Sequence, residues 1–154
     1  MFFVLESNSN NVLFRIQRIY IKDISFEAPN TPGVFQINWN PKIKVDLNSD
    51  AKNIHIDMYE VVLCVTVTAK IEDDTAFLCQ VKQAGIFNVS GLNKTQMIRC
   101  LKVHCPTILF PYASECVSNQ VSRGTFPQLN LDPINFDILF IQSLQKKYND
   151  TLKI

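Results

Sequence analysis

The sequence predicts an α+β domain: a four-stranded antiparallel sheet with one long kinked helix and a shorter C-terminal helix packed on it. Three observations predict it. Between residues 12 and 89, runs rich in β-branched and aromatic residues alternate apolar with polar positions, the period of half-buried strands. From Met97 to Val121 apolar residues recur instead at offsets of three and four, the spacing of an amphipathic helix. Strands grouped before helices, rather than alternating with them, suit helices layered on one sheet face.

Residues 1–11 end in a Ser/Asn-rich stretch and read as a flexible N-terminal arm. A single domain then spans residues 12–145, and residues 146–154 form a flexible tail. The first strand covers Val12 to Ile24, with Phe14, Ile16, Arg18 and Tyr20 on one face and Leu13, Arg15, Gln17, Ile19 and Ile21 on the other. Asp23, Ser25 and Glu27 alternate with Ile24 and Phe26, so the two acids share a side at the strand's end. Pro29-Asn-Thr-Pro-Gly33 then opens a long crossing loop that carries Val34, Phe35 and Trp39. These side chains are either anchors folded onto the core or an apolar wall open to ligands.

A second strand alternates Ile43, Val45 and Leu47 with Lys42, Lys44 and Asp46, and Asn48 to Asn53 reads as a turn. The third strand, Asp57 to Ile71, sets Tyr59, Val61, Leu63, Val65, Val67 and Ala69 on one side. Glu72-Asp-Asp74 turns the chain into the fourth, Thr75 to Val89, making an antiparallel hairpin. Phe77, Cys79, Val81 and Gln83 share one face of that strand.

In the long helix, Pro106 and Pro111 each remove a backbone donor and crowd the preceding turn, which predicts an irregular step between two helical halves. Gly124 follows the last apolar position and Pro127 blocks continuation, which places the helix end there. The connector after it offers Phe126, Leu129 and Leu131, to clamp the helix or to line a groove. Asn135 is positioned to cap a last helix bearing Phe136, Leu139, Phe140 and Leu144 and ending near Lys146 to Tyr148.

Composition excludes several classes. Of 154 residues, 47% are hydrophobic and 19% charged, so some apolar surface should meet partners. A net charge of +1 gathers no polyanion, and no basic stripe suits nucleic acid or direct insertion into a membrane. The apolar run Met1 to Leu5 is too short for a signal peptide, which points to a cytoplasmic location. Four scattered glycines make no phosphate loop, and no nucleophile elbow accompanies His55 or His104, so neither enzyme chemistry nor a cofactor is expected. Cys64, Cys79, Cys100, Cys105 and Cys116 read as small buried hydrophobes in a reducing compartment. A metal site from Cys100, His104 and Cys105 is rejected, because helical geometry turns Cys105 away from the other two.

Four segments carry a family resemblance: Gln17-Arg-Ile-Tyr-Ile-Lys-Asp-Ile-Ser-Phe-Glu-Ala-Pro-Asn30, Thr75-Ala-Phe-Leu-Cys79, Ile108-Leu-Phe-Pro-Tyr-Ala-Ser-Glu-Cys116 and Val121-Ser-Arg-Gly-Thr-Phe-Pro-Gln-Leu-Asn-Leu131. In that order, across about Arg15 to Leu144, they closely resemble the SecB family of bacterial export chaperones. The resemblance implies a homotetramer, a dimer of dimers, that holds unfolded precursor proteins without ATP and delivers them to the SecA ATPase. It implies that Asp23 and Glu27 contact SecA. It implies that the crossing loop borders a client groove, with Phe35, Trp39, Phe126 and Leu129 as its lining. It also implies that the face of Phe77, Cys79, Val81 and Gln83 lies at or near the contact between dimers. Two departures stand out: Gln80 occupies a position that is acidic in many members, and the C-terminus is not acidic. SecA affinity is therefore expected to be lower and less salt-sensitive than in an acidic relative. The competing class is an oligomeric structural or regulatory module that holds no clients.

Overall fold

The structure, a computed structural model, describes the backbone of residues 2–3 and all of residues 11–153. Five antiparallel strands form one sheet in the order β1-β2-β5-β4-β3. The strands are β1 (Phe2–Phe3), β2 (Leu13–Glu27), β3 (Lys42–His55), β4 (Met58–Ile71) and β5 (Asp74–Ser90). The first is only a two-residue addition opposite Phe14 and Arg15. The other four are the predicted sheet. Most of the predicted N-terminal arm lies outside the described residues.

One face of the sheet carries the core. Val61, Leu63, Val65, Val67 and Ala69 of β4 stand beside Phe77, Cys79, Val81, Phe87 and Val89 of β5, all buried. Directly paired residues share a face, so the β4–β5 register puts every one of them on the same side. At roughly 1.5–3 kcal/mol per large apolar side chain, this face dominates the folding energy.

Strand β2 departs from simple alternation. Register shifts between Ile16 and Arg18, and between Ile21 and Asp23, each insert one extra residue and reverse which face the later residues of the strand take. Ile16, Ile19, Ile21, Ile24 and Phe26 consequently all pair with core-side residues of β5, whereas Arg18 and Tyr20 turn to the opposite face. Strand β3 also corrects the sequence reading. Asn48 to Asn53, read as a turn, is paired residue by residue with Cys64 to Tyr59, and the hairpin turns only after His55, with Asp57 at φ 56°. Pairing with an apolar neighbour strand outweighs the local turn preference of those polar residues.

The long helix has three segments: α1 (Lys94–Arg99), a π turn (Cys100–His104) and α2 (Cys105–Arg123). Asn93 caps it with a reciprocal box in which its side chain accepts from Gln96 N–H while the Gln96 side chain accepts from Asn93 N–H. The irregular step predicted from the prolines is the π turn, one turn upstream of Pro106, and helix runs on through Pro111. Thr107 Oγ1 donates to the Val103 carbonyl at 2.6 Å, four residues back. Helix α2 ends at Arg123, and the close approach behind it requires glycine at 124: a Cβ there would stand 2.8 Å from Cζ of Phe26 and 3.0 Å from Cδ2 of Phe126. Helix α3 (Phe136–Leu152) starts on the Asn135 cap as predicted but passes its expected end near Tyr148. No glycine or proline interrupts residues 146–152, and Thr151 Oγ1 bonds back to the Lys147 carbonyl.

Candidate functional site

The crossing loop between β2 and β3 is pinned at several points. Asn30 Nδ2 donates to the Thr75 carbonyl at 2.9 Å, Val34 N–H donates to Asn30 O, and a short 3₁₀ turn covers Gly33–Gln36. Val34 is buried, while Phe35 and Ile37 remain 50% and 45% exposed. The two readings of this loop are thus divided among its residues: Val34 anchors, and Phe35 and Ile37 face outward.

Phe126 is the hub of an aromatic cluster. Its ring centroid lies 5.2 Å from Phe77, 5.4 Å from Phe35, 5.6 Å from Trp39 and 6.3 Å from Phe26. Offset and tilted rings at such separations gain attraction beyond simple burial. The left-handed backbone of Thr125 (φ 61°) and the missing Cβ of Gly124 let the connector bring Phe126 against the sheet. Ser118 Oγ then donates to the Leu129 carbonyl at 2.6 Å, tying the connector to α2. Phe35, Trp39 and Phe126 are therefore brought together, with Leu129 on the adjoining connector and packed on the core. Phe26 and Phe77 complete the cluster, and sequence reasoning misses both. Strand periodicity assigns Phe77 to a sheet face only, and nothing local in the sequence reveals that Trp39 stacks 6.5 Å from it.

Phe77, Cys79, Val81 and Gln83 are 1%, 0%, 0% and 3% exposed within the single chain. Helix α2 packs over β5 and covers these side chains within the chain. Gln83, the buried polar member, donates to the Tyr20 carbonyl between the two bulges of β2. Burial raises the Cys79 thiol to about 11, with the neighbouring Cys116 adding to the effect.

Among the described residues no helix covers the opposite sheet face. Asp23 and Glu27 lie there, opposite Lys82 and Leu78 of β5, and Ser25 between them is opposite Gln80. The structure thus groups the two acids with Gln80. Gln80 instead donates to Thr66 Oγ1 at 3.1 Å. Beside them Glu60 accepts from the Tyr20 hydroxyl and pairs with Lys22 Nζ at 2.8 Å. Bonds from Lys22 and Tyr20 hold the Glu60 carboxyl below its ordinary value, whereas burial and that carboxylate push the Tyr20 hydroxyl up to about 12. Among the described residues no group of three or more His, Cys, Asp or Glu is placed to hold a metal ion, and no helix is long and apolar enough to cross a membrane.

An antiparallel sheet with an aromatic-walled loop at one end and a long π-interrupted helix on one face defines an α+β fold. The sequence model of the family described as preprotein translocase subunit SecB matches residues 7–147, and the chain belongs to the SecB family. Among solved structures, the fold is similar to a SecB-like chaperone of Mycobacterium tuberculosis, solved in complex with a ChAD peptide from the HigA1 antitoxin. Identity is 12% and TM-score 0.67, over 79% of this chain and 91% of that one. A Streptococcus agalactiae protein of unknown function matches at 10% identity and TM-score 0.45, over 79% and 98% of the two chains. Membership of the SecB family supports a chaperone role.

Proposed function

We propose that this protein is an ATP-independent holding chaperone of the cytoplasm that keeps unfolded precursors export-competent and delivers them to SecA. The observation that carries the reading is the outward-facing Phe35 and Ile37 on a pinned loop, backed by the Phe126-centred cluster. This wall offers apolar contact rather than a reacting group, so the reading is non-enzymatic. Burial of a few client side chains at roughly 25 cal/mol per Å² supplies several kcal/mol before ordering costs are subtracted. A homotetramer, a dimer of dimers, would repeat the wall and bind one long client by avidity. The peptide carried by the mycobacterial SecB-like chaperone supports polypeptide segments as the ligand class.

In this reading the face of Phe77, Cys79, Val81 and Gln83, with the helix packed on it, lies at or near the contact between dimers. Asp23 and Glu27 form a SecA contact weakened by Gln80 and by the Lys82 ammonium opposite Asp23. The test is the refolding of an unrelated denatured protein, without nucleotide, at stoichiometric amounts of this chain. Slowed refolding supports the reading. Unchanged refolding contradicts it and favours a structural or regulatory module.

A further inference from the structure

Lys22, Lys52 and Lys82 lie far apart in the sequence and make no basic stripe there. The sheet brings them together. Directly paired residues share a face, and on the face that the helices leave open Lys52 of β3 is opposite Glu60 of β4. Lys82 of β5 is opposite Cys64 of β4 on one side and Asp23 of β2 on the other. The three lysines line an open cavity of about 620 Å³ whose only carboxylates are Glu60 and Asp50.

Glu60 is already engaged: it accepts from the Tyr20 hydroxyl and pairs with Lys22 at 2.8 Å, and Lys52 adds to the field that holds its carboxyl low. Asp50 forms no ion pair with Lys52, two residues along the same face of β3, and Asp23 forms none with Lys82. Lys82 is therefore a half-buried ammonium on the central strand with no counter-ion among the described residues. A charge drawn partly out of water gains most from a partner that brings the opposite charge.

We propose that this cavity docks an acidic segment of a partner polypeptide, whose Asp or Glu carboxylates pair with Lys82 and Lys52. The spacing suits a chain rather than one small anion. Lys82 and Lys52 are separated along the strands by the four ladder positions from Cys64 to Glu60, at about 3.3 Å each, and across them by two spacings of about 4.8 Å. Their Cα atoms are thus about 16 Å apart, a span that an extended segment with acids at alternate positions covers. The cavity shares a face with Asp23 and Glu27 but attracts the opposite charge, so it does not rest on the role given to those two acids.

The experiment is fluorescence anisotropy of a short fluorescein-labelled peptide of alternating Glu and Thr, titrated with the native full chain beside the same peptide carrying Gln for every Glu. Saturable binding of the Glu peptide that weakens as salt is raised, with none of the Gln peptide, is the expected result. Lys82→Met and Lys52→Met keep the apolar stem and remove the charge. Each should weaken binding about two- to fivefold, and the double variant should weaken it further, with the far-UV dichroism unchanged. If Lys82→Met does not fold, Lys52→Met on the exposed outer strand decides alone. No binding of the Glu peptide, equal binding of the Gln peptide, or full affinity in the folded variants would overturn the proposal. Displacement by inorganic phosphate beyond the effect of chloride at equal ionic strength would also overturn it, by marking a site for a simple anion.

Discussion

Gly85 shows how tightly α2 sits on the sheet. A Cβ there would stand 2.7 and 2.9 Å from ring carbons of Phe87 and 3.1 Å from Cδ2 of Leu109. Gly85→Ala should therefore cost about 1–3 kcal/mol by overpacking, read as a lower denaturation midpoint at unchanged slope. His104 supplies a pH prediction. It packs edge-on against Phe14 at 4.9 Å, and burial holds its imidazole below the ordinary value. On acidification the unfolded chain takes the proton first. Stability should hold above about pH 6.5 and fall below it, down to the folded value. Denaturation midpoints measured from pH 7.5 to 5.5 check this, and His104→Gln should flatten the fall. At this scale the sequence was legible where a residue answers to its neighbours, as with Asn135. It was not legible for Phe77, whose ring partners are set by tertiary packing.

Helix starts are local devices and can be tested one by one. Asn93→Ala removes the side-chain acceptor that the Gln96 N–H uses, leaving the backbone half of the capping box, and should destabilise the protein by about 1 kcal/mol in equilibrium unfolding. By contrast, the Arg99–Asp137 pair joining α1 to α3 at 2.5 Å is largely exposed, so screening keeps its contribution within about 1 kcal/mol. The four main strands, both helices and the Gly124 terminus were readable from periodicity and breakers. Three features were not. The β2 bulges, the full length of β3 and the π turn arise from hydrogen bonding between elements or from where a proline's missing donor is absorbed. Single-sequence spacing carries no term for either. The two β2 bulges matter most, because the first turns Ile19 and Ile21 to the helix side and the second keeps Ile24 and Phe26 there, yet Ile21 and Ile24 stay exposed.

For the molecule as a whole, that leftover apolar surface is the argument for assembly. Ile21 and Ile24 on one flank of the core face, and Ile43 and Val45 on the other, are each 37–43% exposed in the isolated chain. A helix pair of this size does not reach either flank. Light scattering should therefore give the mass of four chains, and a stable monomer would leave those flanks without a role. The central claim is that the aromatic wall takes unfolded protein, and the chain's single tryptophan, Trp39, stands within it. The most direct measurement is Trp39 fluorescence during titration with a tryptophan-free, permanently unfolded client. A saturable change in emission, lost in Phe35→Asp with the fold intact, is the predicted result. Client binding without any change at Trp39 would contradict the site, and no binding at all would contradict the function.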